Sequence, residues 1–429
     1  FSSCDGYYWV GGSGNWSDPN HWATSSGGTQ LHGSLPTQFD NVFFDANSFT
    51  TAGEVVTVDI ADPRANNMSW GSALYTPTFA GSGDVNIYGS LRFVSNMNMD
   101  FTGSFNFKSE KSGNEINTGG HTLNTVNFIG GNDGEGEWKL VNHLNVSNSI
   151  NLSNGTFITN DKLVETKNFN SSTINTRNLI LGSSTLTIRD GQWNPSGLTN
   201  FTFDKGTSKI VMTGTDASDF FGFGLDYNDV TFNTTEELAS RLTGANTYNT
   251  LRFDAGVTLT LDAAIQEANQ IIALGSCDRN VTLISATAGS AATLKQSSGT
   301  VDGKFLTLKD NKTTGGATFV ANLSTDLGNV EGWSFTSAPV ISITEETGLV
   351  DCELNNDGWA KVSVTAGTKP FKYLWSTSET TPMISGLIPG TYYVTVTDSV
   401  GCSSTEAIDV LNKPSSLDPV GFMLSSNQI

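Results

Sequence analysis

The chain has 429 residues, with 22 Lys plus Arg against 42 Asp plus Glu, giving a net charge of −20. Binding that rests on phosphate neutralisation needs a basic stripe, which is absent, so nucleic acid and anionic membrane surfaces are disfavoured as partners. With 37% hydrophobic and 15% charged residues the chain can bury a core, and no apolar run approaches the ~18 residues of a membrane-spanning helix.

Phe1 stands where a Met would start a nascent chain, and no basic or apolar leader follows, so the chain reads as processed or trimmed. Residues 1–30 carry Tyr7, Tyr8, Trp9, Trp16 and Trp22. Such rings either stack on sugars or cover the otherwise open first coil of a repeating fold, and the second reading is preferred because terminal coils need a cap.

From about Leu123 to Met212 the apolar residues fall in alternating triplets, among them Leu144-Asn-Val146, Ile150-Asn-Leu152, Leu186-Thr-Ile188 and Ile210-Val-Met212. Alternation at period two marks half-buried strands. Leu144, Leu163, Leu181 and Phe201 recur 19, 18 and 20 residues apart, a spacing that suits a solenoid coil of about three short strands and three turns. Similar triplets continue to Leu306-Thr-Leu308, and 45 glycines with abundant Asn, Ser and Thr supply the turns. The expected fold is all-β, with a right-handed parallel β-helix over 31–336. Two interruptions read as short helices: Thr234 to Leu242, with a Thr N-cap and acidic first turn, and Leu261 to Ala273, which is equally compatible with an extended coil.

Past Phe335 the pattern becomes evenly spaced strands with Gly and Pro turns, which predicts a small immunoglobulin-like β-sandwich over 339–412. Cys352 precedes its first long strand and Cys402 follows its last strong one, so a Cys352–Cys402 disulfide and an oxidising compartment are expected. Cys4 and Cys277 fall on distant coils, and no bridge between them is expected. Pro339-Val340 recurs as Pro419-Val420, so 413–429 reads as a linker leading into the start of a second sandwich, with the chain cut off inside it.

Motifs of catalysis are scarce. His21, His32, His121 and His143 lack metal-binding spacing, and Gly130-Gly131-Asn-Asp-Gly134 lacks the Lys-Ser/Thr of a P-loop. Asp216, Asp219, Asp226 and Asp229 bracket Phe220-Phe221-Gly-Phe223, and carboxylates in such a stretch could bind Ca2+ or act as an acid/base pair, although a solvated loop is the plainer reading. No other cofactor is indicated. A polysaccharide lyase or hydrolase would need paired carboxylates, or calcium with a basic residue, on adjacent coils.

Three stretches carry a family resemblance. Tyr8-Trp-Val-Gly-Gly-Ser-Gly-Asn-Trp-Ser-Asp-Pro-Asn-His-Trp22 resembles the opening of large secreted surface proteins of Bacteroidota, and Gly315 to Phe335 resembles their closing coil. Gly367-Thr-Lys-Pro-Phe371, Tyr373-Leu-Trp-Ser376, Pro389-Gly-Thr-Tyr392, Val394-Thr-Val-Thr-Asp398 and Gly401-Cys402 resemble the SprB-type repeat of gliding-motility adhesins; Lys369 and Asn355-Asn-Asp-Gly358 depart from that pattern. The resemblance implies cargo of the type IX secretion system, which meets outer-membrane components during export and acts at the cell surface as an adhesin or motility filament. Its expected partners are glycans or other surface proteins, bound without catalysis. It also implies O-glycosylation at Ser399 within Asp398-Ser399-Val400. The alternatives are a polysaccharide lyase or glycoside hydrolase on a β-helix scaffold, and an accessory component held by the secretion apparatus.

Overall fold

A computed structural model describes residues 6–131, 134–234, 239–336, 342–350 and 356–413. Nearly every element is a β-strand, and the chain divides into two compact units, Phe1–Gly275 with Arg279–Thr336, and Ser276–Asp278 with Ser337–Ile429.

The first unit is a right-handed parallel β-solenoid of about 13 turns. Its register shows how the alternating triplets are used. Leu144 lies opposite Val164, Val164 opposite Leu186, Leu186 opposite Ile210 and Ile210 opposite Val230, so equivalent residues recur every 20 to 24 positions. All five are buried, and fully burying one such side chain contributes about 1.5–3 kcal/mol. The frame expected from sequence differs in detail: Leu163 is 52% exposed because its neighbour Val164 occupies the inward position, and Phe201 belongs to a different face of the coil from Leu144. A period-two strand admits one inward parity only, so a one-residue shift in reading moves a side chain from core to surface.

Early coils have three separate short strands, represented by Leu91–Arg92, Asn98–Phe101 and Ser104–Phe107. From Thr122–Phe128 onward two of the faces join into strands of up to ten residues, and register shifts between Leu123 and Thr125, Val146 and Ser149, and Thr166 and Asn168 mark the corners. One outward column of this sheet is a ladder of amides. Asn86 donates to Asp62, Asn106 to Asn86, Asn127 to Asn106, Asn151 to Asn127 and Asn170 to Asn151, at 2.7 to 3.1 Å. An amide carries donors and acceptors together, so identical residues stacked at the rung spacing satisfy each other.

The solenoid begins on a cluster of aromatic rings. Trp9, Trp16 and Trp22 have no exposed surface, and Trp22–Ala23 runs antiparallel to Gly6–Trp9, covering the free edge of the first parallel strand. His21 stacks on Trp9 with ring centroids 4.5 Å apart, and a Cβ at Gly14 would lie 2.0 Å from its Nε2, which is why the Gly-Gly-Ser-Gly run tolerates no side chain there. Farther along, Arg177 is wholly buried without a carboxylate. Its guanidinium donates to the carbonyl oxygens of Ser171, Asn175, Gly197 and Thr199 and to Ser171 Oγ, joining the corner loops of two successive coils.

The expected helix Leu261 to Ala273 does not form, and the described ends of the Thr234 to Leu242 segment are extended. Thr234 ends the strand Asp226–Thr234 and Ser240–Thr243 is again a strand, while Ile265–Leu274 is a ten-residue strand. Residues 235–238 lie outside the described set. In the described parts of both segments the coil register supplies hydrogen-bond partners along the strand, which outweighs a helix preference of a few tenths of a kcal/mol per residue.

The second unit contains two three-stranded antiparallel sheets: Ser342–Gly348, Gly358–Ala366 and Met383–Leu387 in one, and Lys372–Trp375, Gly390–Thr397 and Ser403–Val410 in the other. Ala360, Val362, Trp375, Ile384, Val394, Val396 and Ile408 form its core. Cys402 is bonded to Cys277, with Cα atoms 5.2 Å apart, and not to Cys352. Sequence spacing had suggested neighbours within the sandwich, whereas Cys277 comes from an excursion between the strands Ile265–Leu274 and Val281–Ser285, 125 residues away. Cys4, Cys352, the Pro339-Val340 and Pro419-Val420 pairs and the expected second repeat beyond 413 lie outside the described residues.

Two outcomes are expected from this architecture. Non-reducing peptide mapping should recover the Cys277 peptide joined to the Cys402 peptide and released by reductant; a Cys352–Cys402 pair would contradict the bridge. Arg177→Met should lower stability by about 3 kcal/mol, because several buried carbonyls lose charged donors, read as a lower urea midpoint for the solenoid.

Candidate functional site

Successive coils place equivalent residues about 4.8 Å apart. Ala65, Ile87 and Phe107 are register partners at the end of one sheet, so the residues that follow them, Asn66, Tyr88 and Lys108, share one corner on three consecutive coils. Gln38 and Phe39 approach from a preceding loop, and Ser109, Glu110 and Lys111 extend the chain beyond Lys108. Together these side chains line an open hollow of ≈ 210 Å³.

The loop is held in place by Asp40, whose carboxylate accepts from Thr37 N at 2.8 Å and Thr37 Oγ1 at 2.6 Å, while its carbonyl accepts from Asn66 N at 2.7 Å. Phe39 is thereby presented with 58% of its surface exposed. Asn66 donates to Asn41 Oδ1, which fixes the amide beside the hollow. Burial raises the Tyr88 phenol above its ordinary pKa despite nearby Arg64. Its hydroxyl has no hydrogen-bond partner among the described residues. Arg64 chelates Asp62, and that hydrogen bond holds the Asp62 carboxyl below the usual carboxylate range, with help from Lys108. Lys108 and Lys111 make no ion pair among the described residues. An exposed ring, an amide, a phenol and ammonium groups therefore converge on one concavity.

The acidic stretch singled out by sequence does not converge. Asp219 pairs with Arg241 at 2.7 Å, Asp226 pairs with Lys205 at 2.6 Å and accepts from Thr247, Asp229 accepts from Asn249, and the Asp216 backbone is held by Asp190. No group of three or more metal-ligating side chains occurs among the described residues. Burial works to raise the Asp226 pKa, but the hydrogen bonds from Lys205 and Thr247 outweigh it and keep the group below its ordinary value. The four histidines are tied to backbone: His21 to Val10, His32 to Gly6, His121 to Val94 and His143 to Leu163. Ser399 is exposed in a turn whose amides at 400 and 402 are bound by the Asp398 carboxylate. Of the N-terminal rings, Trp9, Trp16, Trp22 and Tyr7 are interior, and half-buried Tyr8 is stacked on Phe43.

The residues of the hollow escape sequence reading because they are chemically ordinary and lie apart. Their one signal is the 22- and 20-residue spacing of Asn66, Tyr88 and Lys108, which matches the coil length once the register is known. The chain matches no protein-family model, no curated protein and no solved structure. No helix of the described residues is long and apolar enough to cross a membrane.

Asp40→Ala removes both side-chain bonds that close the Phe39 loop. Amide exchange at Thr37 is expected to accelerate about tenfold or more, the equivalent of roughly 1.4 kcal/mol of lost local protection, with the solenoid strands unchanged.

Proposed function

We propose that this chain is the binding region of a secreted surface adhesin and holds a glycan at the hollow lined by Phe39, Tyr88, Gln38, Asn66 and Lys108. The observation that carries this reading is the composition of that lining. An exposed aromatic ring offers a flat apolar face to the C–H face of a pyranose, and amide, phenol and ammonium groups at its rim match the hydroxyls around it. The scaffold suits such work, because parallel coils bury one another's inner faces and leave a long ridged outer surface available.

Export through the type IX system, attachment at the outer surface and O-glycosylation at Ser399 belong to the same proposal. They are supported by the resemblance of the opening, closing and SprB-type segments, by the disulfide, which suits an oxidising compartment, and by the exposure of Ser399. Among the outward carboxylates, Glu165, Asp219, Asp226 and Glu267 are each engaged in an ion pair with a cation on a neighbouring coil, and, against the effect of burial, the bonds from Lys205 and Thr247 hold Asp226 below its ordinary pKa, the opposite of what a glycosidic general acid needs. Binding is the function proposed here, with hydrolysis the alternative.

The test is a glycan array probed with the full chain, beside Phe39→Ala and Tyr88→Phe. Binding to at least one glycan class is expected, with Phe39→Ala weakening it about tenfold or more and no reducing ends or unsaturated products released from bound polymers. Retention of all binding in Phe39→Ala would move the site elsewhere, and product release would return the enzyme reading.

A further inference from the structure

We infer that the ligand of this hollow is an acidic glycan, a pyranose bearing carboxylate or sulfate, a conclusion that rests on the adhesin reading and narrows it. The chain carries a net charge of −20 and has no Lys or Arg before Arg64, yet the lining of the hollow brings Lys108 and Lys111 to one place. Arg64 forms a contact ion pair with Asp62, whereas Lys108 acts on that carboxylate only from a distance and neither Lys108 nor Lys111 makes a contact ion pair among the described residues. Glu110 is the one acidic side chain in the lining, so the hollow has a net positive charge on a strongly negative molecule.

Screening decides what an approaching ligand feels. At physiological ionic strength the Debye length is about 8 Å, so charges on distant coils are damped while the two ammonium groups act at contact. An acidic sugar is disfavoured by the net negative charge of the chain and attracted where Lys108 and Lys111 stand, which gives discrimination as well as affinity. The remaining lining fits the same ligand: the Phe39 ring stacks on the pyranose, the free Tyr88 hydroxyl donates to a ring substituent, and the Gln38 amide bonds to a hydroxyl. Lysine is a point donor on a flexible stem, so it accommodates either a planar carboxylate or a tetrahedral sulfate.

The experiment is isothermal titration of the full chain with three oligosaccharides: an oligogalacturonate, a sulfated dextran fragment and a neutral dextran fragment. Each is titrated in low and high salt and repeated with Lys108→Gln/Lys111→Gln and with Phe39→Ala. Both substituted sites are at the surface, and matched circular dichroism confirms that the variants fold. Binding of at least one acidic oligosaccharide is expected to exceed that of neutral dextran tenfold or more, and to fall by at least that factor in the double lysine variant and in high salt. Comparison of the galacturonate and sulfate arms identifies which anion is preferred. Equal affinity for neutral and acidic ligands, or an unaffected double lysine variant, overturns the inference; if that binding is still lost in Phe39→Ala, the adhesin reading stands without it. A chain that binds nothing in any arm loses both.

Discussion

Parallel hydrogen bonding between successive coils is the interaction on which everything else here depends. Each strand finds its partners one turn earlier and one turn later, so no coil can satisfy its backbone alone, and the register then places like residues over like. That is the origin of the aliphatic columns inside and of the asparagine ladder outside, where Asn106, Asn127 and Asn151 each donate to the coil below and accept from the coil above. The same dependence leaves an unpaired edge at the start of the stack, closed by the short antiparallel strand at Trp22 and packed with rings that have no solvent exposure.

Function, in the reading preferred here, follows from what the register does at a corner. Asn66, Tyr88 and Lys108 are brought to one corner of three consecutive coils by pairing of the strands that precede them, and a loop clasped by Asp40 adds Phe39. Side chains held by a stack of coils are already ordered before a ligand arrives, so little entropy remains to be lost on binding. On other coils some outward charges meet partners one turn away, as Arg189 meets Glu165 and Lys205 meets Asp226, whereas Lys108 and Lys111 line their hollow without a contact ion pair among the described residues.

Alternation of apolar residues made the solenoid legible from residue order alone, since period two leaves few other structures available. The frame was less legible: Leu163 and Val164 are both apolar, and only pairing with Leu144 and Leu186 assigns the inward position to Val164. The helix signal at Leu261 to Ala273 is a local preference overruled by strand partners on adjacent coils, and Ser240 to Leu242, at the end of the other candidate, is likewise paired as strand. Cysteine pairing failed for a related reason, because Cys277 reaches Cys402 through an excursion that no spacing announces.

The residue order by itself determined the class of fold and the acidic net charge, because these depend on composition and on local periodicity. Tertiary structure alone decided the register, the disulfide and the site. Asp216 to Asp229, contiguous in sequence, are dispersed among separate partners, while Phe39, Asn66, Tyr88 and Lys108, scattered over 70 positions, line one hollow. The reason is geometric: in a solenoid, neighbours in space lie one coil length apart in the chain, and the coil length varies from turn to turn, so proximity is defined only when the strands have paired.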